Sequence, residues 1–198
     1  MTVQPIIFSA PMVRALIEGR KTQTRRLAQT PGGRNAPWIN TEPGDLLYVR
    51  ETFSGGFDYI NHYVSLYETA EDAPHWWPKI TPICYWADGE PSEGDWGKRR
   101  PAIHMPRWAS RLTLEVTAVR LQKLHYITEG DAIAEGIYGE GRNWTAGGGC
   151  DGTDPIAAFQ ALWWKIHGIG SWTANPAVVA ISFAVHKQNV DSPNALLE

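Results

Sequence analysis

The sequence predicts an α+β fold, a small mixed barrel with helices on its outside. Three observations point there. Apolar runs of strand length sit at both ends and in the middle of the chain, only three segments carry a helical period, and the strands and helices do not alternate as a doubly wound parallel sheet requires. At 198 residues and 43% hydrophobic content, the chain can bury one core. A single domain over residues 1–190 is expected, with an insertion at about 54–100 and a tail at 191–198.

The elements follow in order. "PIIF" reads as a short strand. In "SAPMVRALIEG", Ser9 or Ala10 can cap, Pro11 suits a first helical turn, and Met12 with Leu16 and Val13 with Ile17 form an i, i+4 face that Gly19 ends. "GRKTQTRR" then lies just past a helix C-terminus, where cations meet the dipole and the last carbonyls need donors, so a solvated, capped turn is one account of it. "GDLLYVRETF" reads as turn then strand, with Leu47 and Val49 opposite Tyr48 and Arg50. Residues 54–100 are rich in Gly, Pro, Trp and acids, with one short strand at "ICYWAD", and read as a loop-like insertion.

Residues 111–124, "RLTLEVTAVRLQKL", alternate through Leu112, Leu114 and Val116 and then change phase, as a bulge near Ala118 would make them do. Thr128 and Asp131 stand in the T-x-x-D spacing of a helix start, with Gly136 as its end and Glu135 in its last turn. Residues 142–152 are glycine-rich and read as a mobile loop, without the strand, helix and lysine of a phosphate cradle. "TDPIAAFQALWWKIHG" reads as a capped helix with Pro155 first and Phe159, Leu162, Trp163 and Ile166 on its stripe. "AVVAISFAVHK" closes the fold as a strand.

Charge is uneven. Residues 1–50 hold seven Lys/Arg against three Asp/Glu, residues 51–100 four against nine, and the whole chain is −3 at pH 7. A protein that tracks long nucleic acid through its phosphates shows a large basic surface, so net acidity favours a small or short ligand. The N-terminus has no basic segment followed by a long apolar one, and no run of about 18 apolar residues occurs. A cytoplasmic protein without membrane contact is the expectation. Cys84 and Cys150 belong to no C-x-x-C pair, and His104, His125 and His167 share no ligand spacing, so neither a metal nor another cofactor is expected.

"GRKTQTRR", "GDLLYVRE" and "EVTAVRLQKLHYITEGDAIAEG" together resemble the ASCH (activating-signal-cointegrator homology) family, whose fold is like the PUA RNA-binding barrel. Its "RKTxTxR" element matches Lys21, Thr22, Thr24 and Arg26. The stretch from Glu115 to Glu135 is similar to the family's bacterial N4-acetylcytidine amidohydrolase branch. The long form, including "YWADG", "HMPRWASRLTLEVT" and "NPAVVAISFAV", resembles ASCH-like proteins of phages and prophages.

That resemblance implies recognition of a nucleoside, a nucleotide or a base exposed in short RNA or DNA. It further implies hydrolysis of an N-acyl amide on a modified pyrimidine, with Lys21, Thr24 and Glu135 carrying the chemistry. Such a hydrolysis needs a nucleophile, a group that takes and returns its proton, and donors to the oxyanion. Thr24 can attack or orient water, Lys21 can accept a proton if burial lowers its pKa, and Arg25 or Arg26 can stabilise the oxyanion.

Thr22, Arg50, Glu51, Arg107 and Trp108 complete the expected binding set. Arg50 and Glu51 read either as a pocket wall or as an exposed cross-strand ion pair, and Trp108 either as a stacking platform between guanidiniums or as a barrel plug. Lys21, Thr24 and Glu135 are expected to converge, with Glu135 facing the ligand, so that Glu135→Gln changes thermal stability little. The alternatives are a metal-independent ribonuclease and a phage accessory or morphogenesis protein that binds a phage or host protein through its Trp-rich insertion, "HWWPK" included.

Overall fold

A computed structural model describes residues 1–30, 32–55, 83–91 and 96–192. The chain is α+β. A five-stranded sheet has the order β1-β3-β6-β10-β2, formed by β1 (Val3–Ile7), β2 (Gln23–Leu27), β3 (Leu46–Arg50), β6 (Thr113–Lys123) and β10 (Ala177–His186). Among the described residues no pairing joins β1 to β2, so the order keeps two ends. β4 (Phe53–Gly55) pairs antiparallel with β5 (Ile83–Tyr85), and β7 (Tyr138–Glu140), β8 (Asn143–Thr145) and β9 (Asp151–Gly152) make a three-stranded sheet. The helices are α1 (Ala10–Ile17), α2 (Glu129–Ala134) and α3 (Pro155–His167).

The chain divides into two compact units. The first comprises Met1–Val3, Ala15–Leu46 and Leu114–Val185. Within it β2 lies antiparallel to β10, with Thr24 opposite Ile181 and Arg25 opposite Ala180. The segment "QTRRL" is therefore a strand, where the sequence suggests a capping turn. Its one apolar side chain, Leu27, gives no period-2 signal. Pairing with the apolar "VVAIS" of β10 supplies its backbone partners instead.

α2 begins in a full capping box, in which the Thr128 hydroxyl accepts from the Asp131 N–H and the Asp131 carboxylate accepts from the Thr128 N–H. It packs against β2 and α3. α3 starts at Pro155 with the Asp154 side chain accepting from the Ala157 N–H, and packs on β8 and β9. Residues 142–152 are consequently sheet as much as loop. A Cβ on Gly152 would come within 2.2 Å of the Ala158 nitrogen, so glycine here lets a helix backbone lie against a strand. β6 is one continuous strand, buried through Val116 and mostly exposed beyond it, so the change of phase near Ala118 marks the end of burial.

The second unit comprises Gln4–Arg14, Leu47–Thr113 and His186–Glu198. Its described core includes Phe53, Met105 and Ala109, against which Ile83, Tyr85 and Trp108 pack. The "HWWPK" segment, most of the expected insertion and residues 193–198 of the expected tail lie outside the described residues. Among the described residues no helix is long and apolar enough to cross a membrane.

Candidate functional site

Past α1 the Gly19 N–H bonds back to the Leu16 carbonyl and the Lys21 N–H to that of Ala15, turning the chain directly into β2. At the far end of α2, Glu135 caps the helix and forms an antiparallel bridge with Lys21. The Thr22 N–H reaches the Ala134 carbonyl at 2.8 Å. Gly136 allows this approach. It has φ +98, and a Cβ there would lie 3.1 Å from the Ala15 Cβ and 3.3 Å from the Lys21 Cβ. Residues 114 positions apart thus meet backbone to backbone before their side chains interact.

The side chains form an ionic cluster whose centre, Lys21, Arg25 and Glu135, is buried. Lys21, only 1% exposed, donates from Nζ to Glu135 Oε2 at 2.9 Å, to the Glu135 carbonyl at 2.8 Å and to the Gln23 carbonyl at 2.8 Å. Arg25 Nη1 donates to Glu135 Oε1 at 3.1 Å and to Gln23 Oε1 at 3.0 Å, and its Nη2 is 2.9 Å from Asp131 Oδ2. Asp131 Oδ1 accepts from Gln23 Nε2 and from Arg120 Nη2. One buried carboxylate is therefore held from both sides by cations.

Burial sets the electrostatics. It pulls the Lys21 pKa below its ordinary value, against the attraction of Glu135, with Arg26 and Arg25 adding to the depression. Arg26 is also lowered by burial, opposed by Glu135. For Asp131, burial pushes upward, but the Thr128 N–H and the Arg120 and Arg25 guanidiniums outweigh it and leave the carboxyl lowered. Three acceptors around one Nζ suit a protonated ammonium, so the geometry works against the desolvation that favours the neutral amine.

The expected residues thus separate. Lys21 and Glu135 meet. Thr24 is buried on β2 between Gln23 and Arg25, and strand alternation assigns it the face of Arg26, not the face those two share. Thr22 is exposed. Arg26 lies 5.9 Å from the Trp38 ring, and its charge, after burial, lowers the pKa of His167. His167 stacks at 4.1 Å on Trp163, which neighbours Phe159, itself 6.0 Å from the Arg25 guanidinium. Asp131, Gln23, Arg120 and this aromatic row were not expected at the site. Asp131 was legible only as a cap, while Gln23 shows its place once "QTRRL" is a strand.

The remaining expected residues belong to the second unit. Glu51 is buried and pairs with Arg111, not with its neighbour Arg50, through Nε at 2.9 Å and Nη2 at 3.0 Å. Arg111 also holds Asp88 at 2.7 and 2.8 Å and lies over the Tyr85 ring at 4.0 Å. Burial raises the Glu51 pKa against the pull of Arg111. It likewise pushes the Tyr85 hydroxyl up to about 12. Arg50 donates to the Met105 and Ile103 carbonyls, and Arg107 pairs with Asp191. Trp108 packs on the Phe53 core and its Nε1 is buried. No family model, curated protein or solved structure matches the chain.

Proposed function

We propose that the chain is an ASCH-type protein with a PUA-like fold that recognises a nucleoside, or a base exposed in short RNA, at the Lys21–Glu135 cluster. We further propose that it hydrolyses an N-acyl amide on a modified pyrimidine there. The observation that carries this reading is the buried lysine bonded to a buried carboxylate. A solvated cap requires no such desolvation, and perturbed, buried ionisable groups concentrate at working sites.

In this reading the Thr24 hydroxyl attacks the acyl carbon, or orients the water that does. Arg26, on the same strand face, stabilises the oxyanion. Lys21 takes the attacking proton only after its own ammonium has passed one to Glu135, because all three of its protons are engaged at rest. The proton then returns to the leaving exocyclic amine; where Thr24 has attacked, a water hydrolyses the resulting Thr24 ester, so that on either route amide and water give the pyrimidine and the carboxylic acid with Thr24 free again. Trp38, whose ring lies 5.9 Å from the Arg26 guanidinium, offers an aromatic face on which a planar base could stack.

Calorimetry against cytidine, N4-acetylcytidine, nucleotides and short RNAs tests recognition, and chromatography of N4-acetylcytidine incubations tests turnover. Binding of at least one nucleoside is expected, with conversion to cytidine that Lys21→Ala reduces by about a hundredfold or more. Failure of every nucleoside and RNA to bind defeats the proposal. Binding without turnover reduces it to recognition alone.

A further inference from the structure

Arg25 has no part in the chemistry proposed above, yet its guanidinium is among the most deeply buried charges of the unit. Its side chain is 0% exposed, and its Nε has no hydrogen-bond partner among the described residues. Taking such a group out of water is costly, and a bare scaffold would serve as well with an apolar residue. What Arg25 touches is specific. Nη1 grips Glu135 Oε1 while Lys21 holds Oε2, so the carboxylate cannot turn without breaking one of the two.

The grip is itself braced. Arg25 Nη1 also reaches Gln23 Oε1, and Nη2 faces Asp131. Asp131 is fixed in turn by the capping box of α2, by Gln23 Nε2 and by Arg120 of β6. Alternation sets Arg25 on the strand face opposite Thr24 and Arg26, away from the attacking hydroxyl of the proposed reaction.

We infer that Arg25 is a positioning residue that fixes the Glu135 carboxylate against Lys21 and through it governs how readily that lysine exchanges a proton. This rests on the nucleoside-hydrolase reading above and deepens it. The charged groups that act on Lys21 are Glu135 of the α2 terminus, which favours its proton, and Arg25 and Arg26 of β2, which oppose it. Removing the Arg25 charge therefore moves the Lys21 titration upward.

The test follows the ε-carbon of labelled Lys21 by NMR over pH in wild type, Arg25→Met and Arg25→Lys, beside turnover of N4-acetylcytidine. Arg25→Met is expected to raise the Lys21 midpoint by about one unit. Arg25→Lys keeps the charge and loses the fork. It is expected to leave the midpoint near that of wild type while lowering kcat about tenfold to a hundredfold with KM nearly unchanged. Should Arg25→Met fail to fold, Arg25→Gln replaces it, with two donors but no charge. An unmoved Lys21 midpoint in the uncharged variant, or wild-type kcat in Arg25→Lys, overturns the inference. A wild-type protein that binds and turns over no nucleoside defeats the proposed function instead, and the Lys21 titration then decides for Arg25 alone.

Discussion

Each unit of the chain buries a carboxylate against arginine, but the two clusters are built in opposite senses. In the first, the carboxylate Glu135 is shared by two cations, Lys21 and Arg25, all three side chains being 3% exposed or less. In the second, the cation Arg111 is shared by two carboxylates, with Asp88 at 55% and Arg111 at 24% exposure and only Glu51 buried. Burial lowers Arg111's pKa, but the hydrogen bonds it donates to Asp88 and Glu51 outweigh it and raise it, whereas for Lys21 burial prevails. A cation with two acids near water keeps its proton and clips loops together. A lysine that must share one acid in the interior is the better candidate for exchange.

The largest expected effect breaks the first cluster. Glu135→Gln leaves Lys21 and Arg25 facing each other without their shared countercharge, and breaking a buried pair in this way costs about 3–5 kcal/mol. For a chain of this length that lowers Tm by roughly 10 °C. The sequence-based expectation of little thermal change assumed a ligand-facing carboxylate. The buried, doubly gripped Glu135 replaces it. A calorimetric Tm within about 2 °C of wild type would show that the cluster carries no such strain.

Arg111→Ala tests the second cluster and is expected to cost about 2 kcal/mol at pH 7. Glu51 is then buried without its cation, so its folded pKa rises further above the unfolded value near 4.3. A carboxyl raised in the folded state binds its proton more tightly there. The loss is therefore full above the folded pKa and fades as pH falls through it toward the unfolded value. Urea unfolding from pH 7 to 4 should bring variant and wild type together. A gap that stays constant over that range would mean that Arg111 acts by packing on Tyr85.

How much of this was legible in the sequence depended on whether the signal was local. Thr128 with Asp131, and Asp154 with Pro155, announce their helices because a cap is written within four residues. The strand of "AVVAISFAVHK" announces itself by β-branched and apolar content. β2 does not, because "QTRRL" buries polar side chains, Gln23 and Arg25, that bond to Asp131 and Glu135 instead of packing on a core, and no hydrophobic period records that. β9 is hidden for a different reason, since Gly152 reads as loop until a helix backbone is found against it. The meeting of Lys21 with Glu135 was reachable only through the family resemblance, and the same resemblance was silent about Asp131 and Gln23. No local rule identifies Arg111 as the partner of Glu51, 60 residues away.

The smallest expected effect sharpens the contrast between the clusters by asking what salt does to each. Asp88→Asn removes the exposed acid from Arg111 and leaves the Glu51 pair intact, so its cost should fall within the range of surface ion pairs, about 0.2–1 kcal/mol. At 1 M salt the Debye length shrinks to about 3 Å, and a pair open to solvent is largely screened. The Asp88→Asn difference should then vanish, whereas the Glu135→Gln difference should persist, because counterions do not reach a lysine and an arginine closed off from water. Parallel urea titrations of both variants at low and high salt measure this directly. If the Asp88→Asn cost survives 1 M salt, Asp88 is a structural partner as tightly held as Glu51, and the distinction between a surface clip and a buried exchange pair fails at its outer member. If the Glu135→Gln cost disappears with salt, water enters the first cluster and Lys21 loses the desolvation on which its proposed role depends.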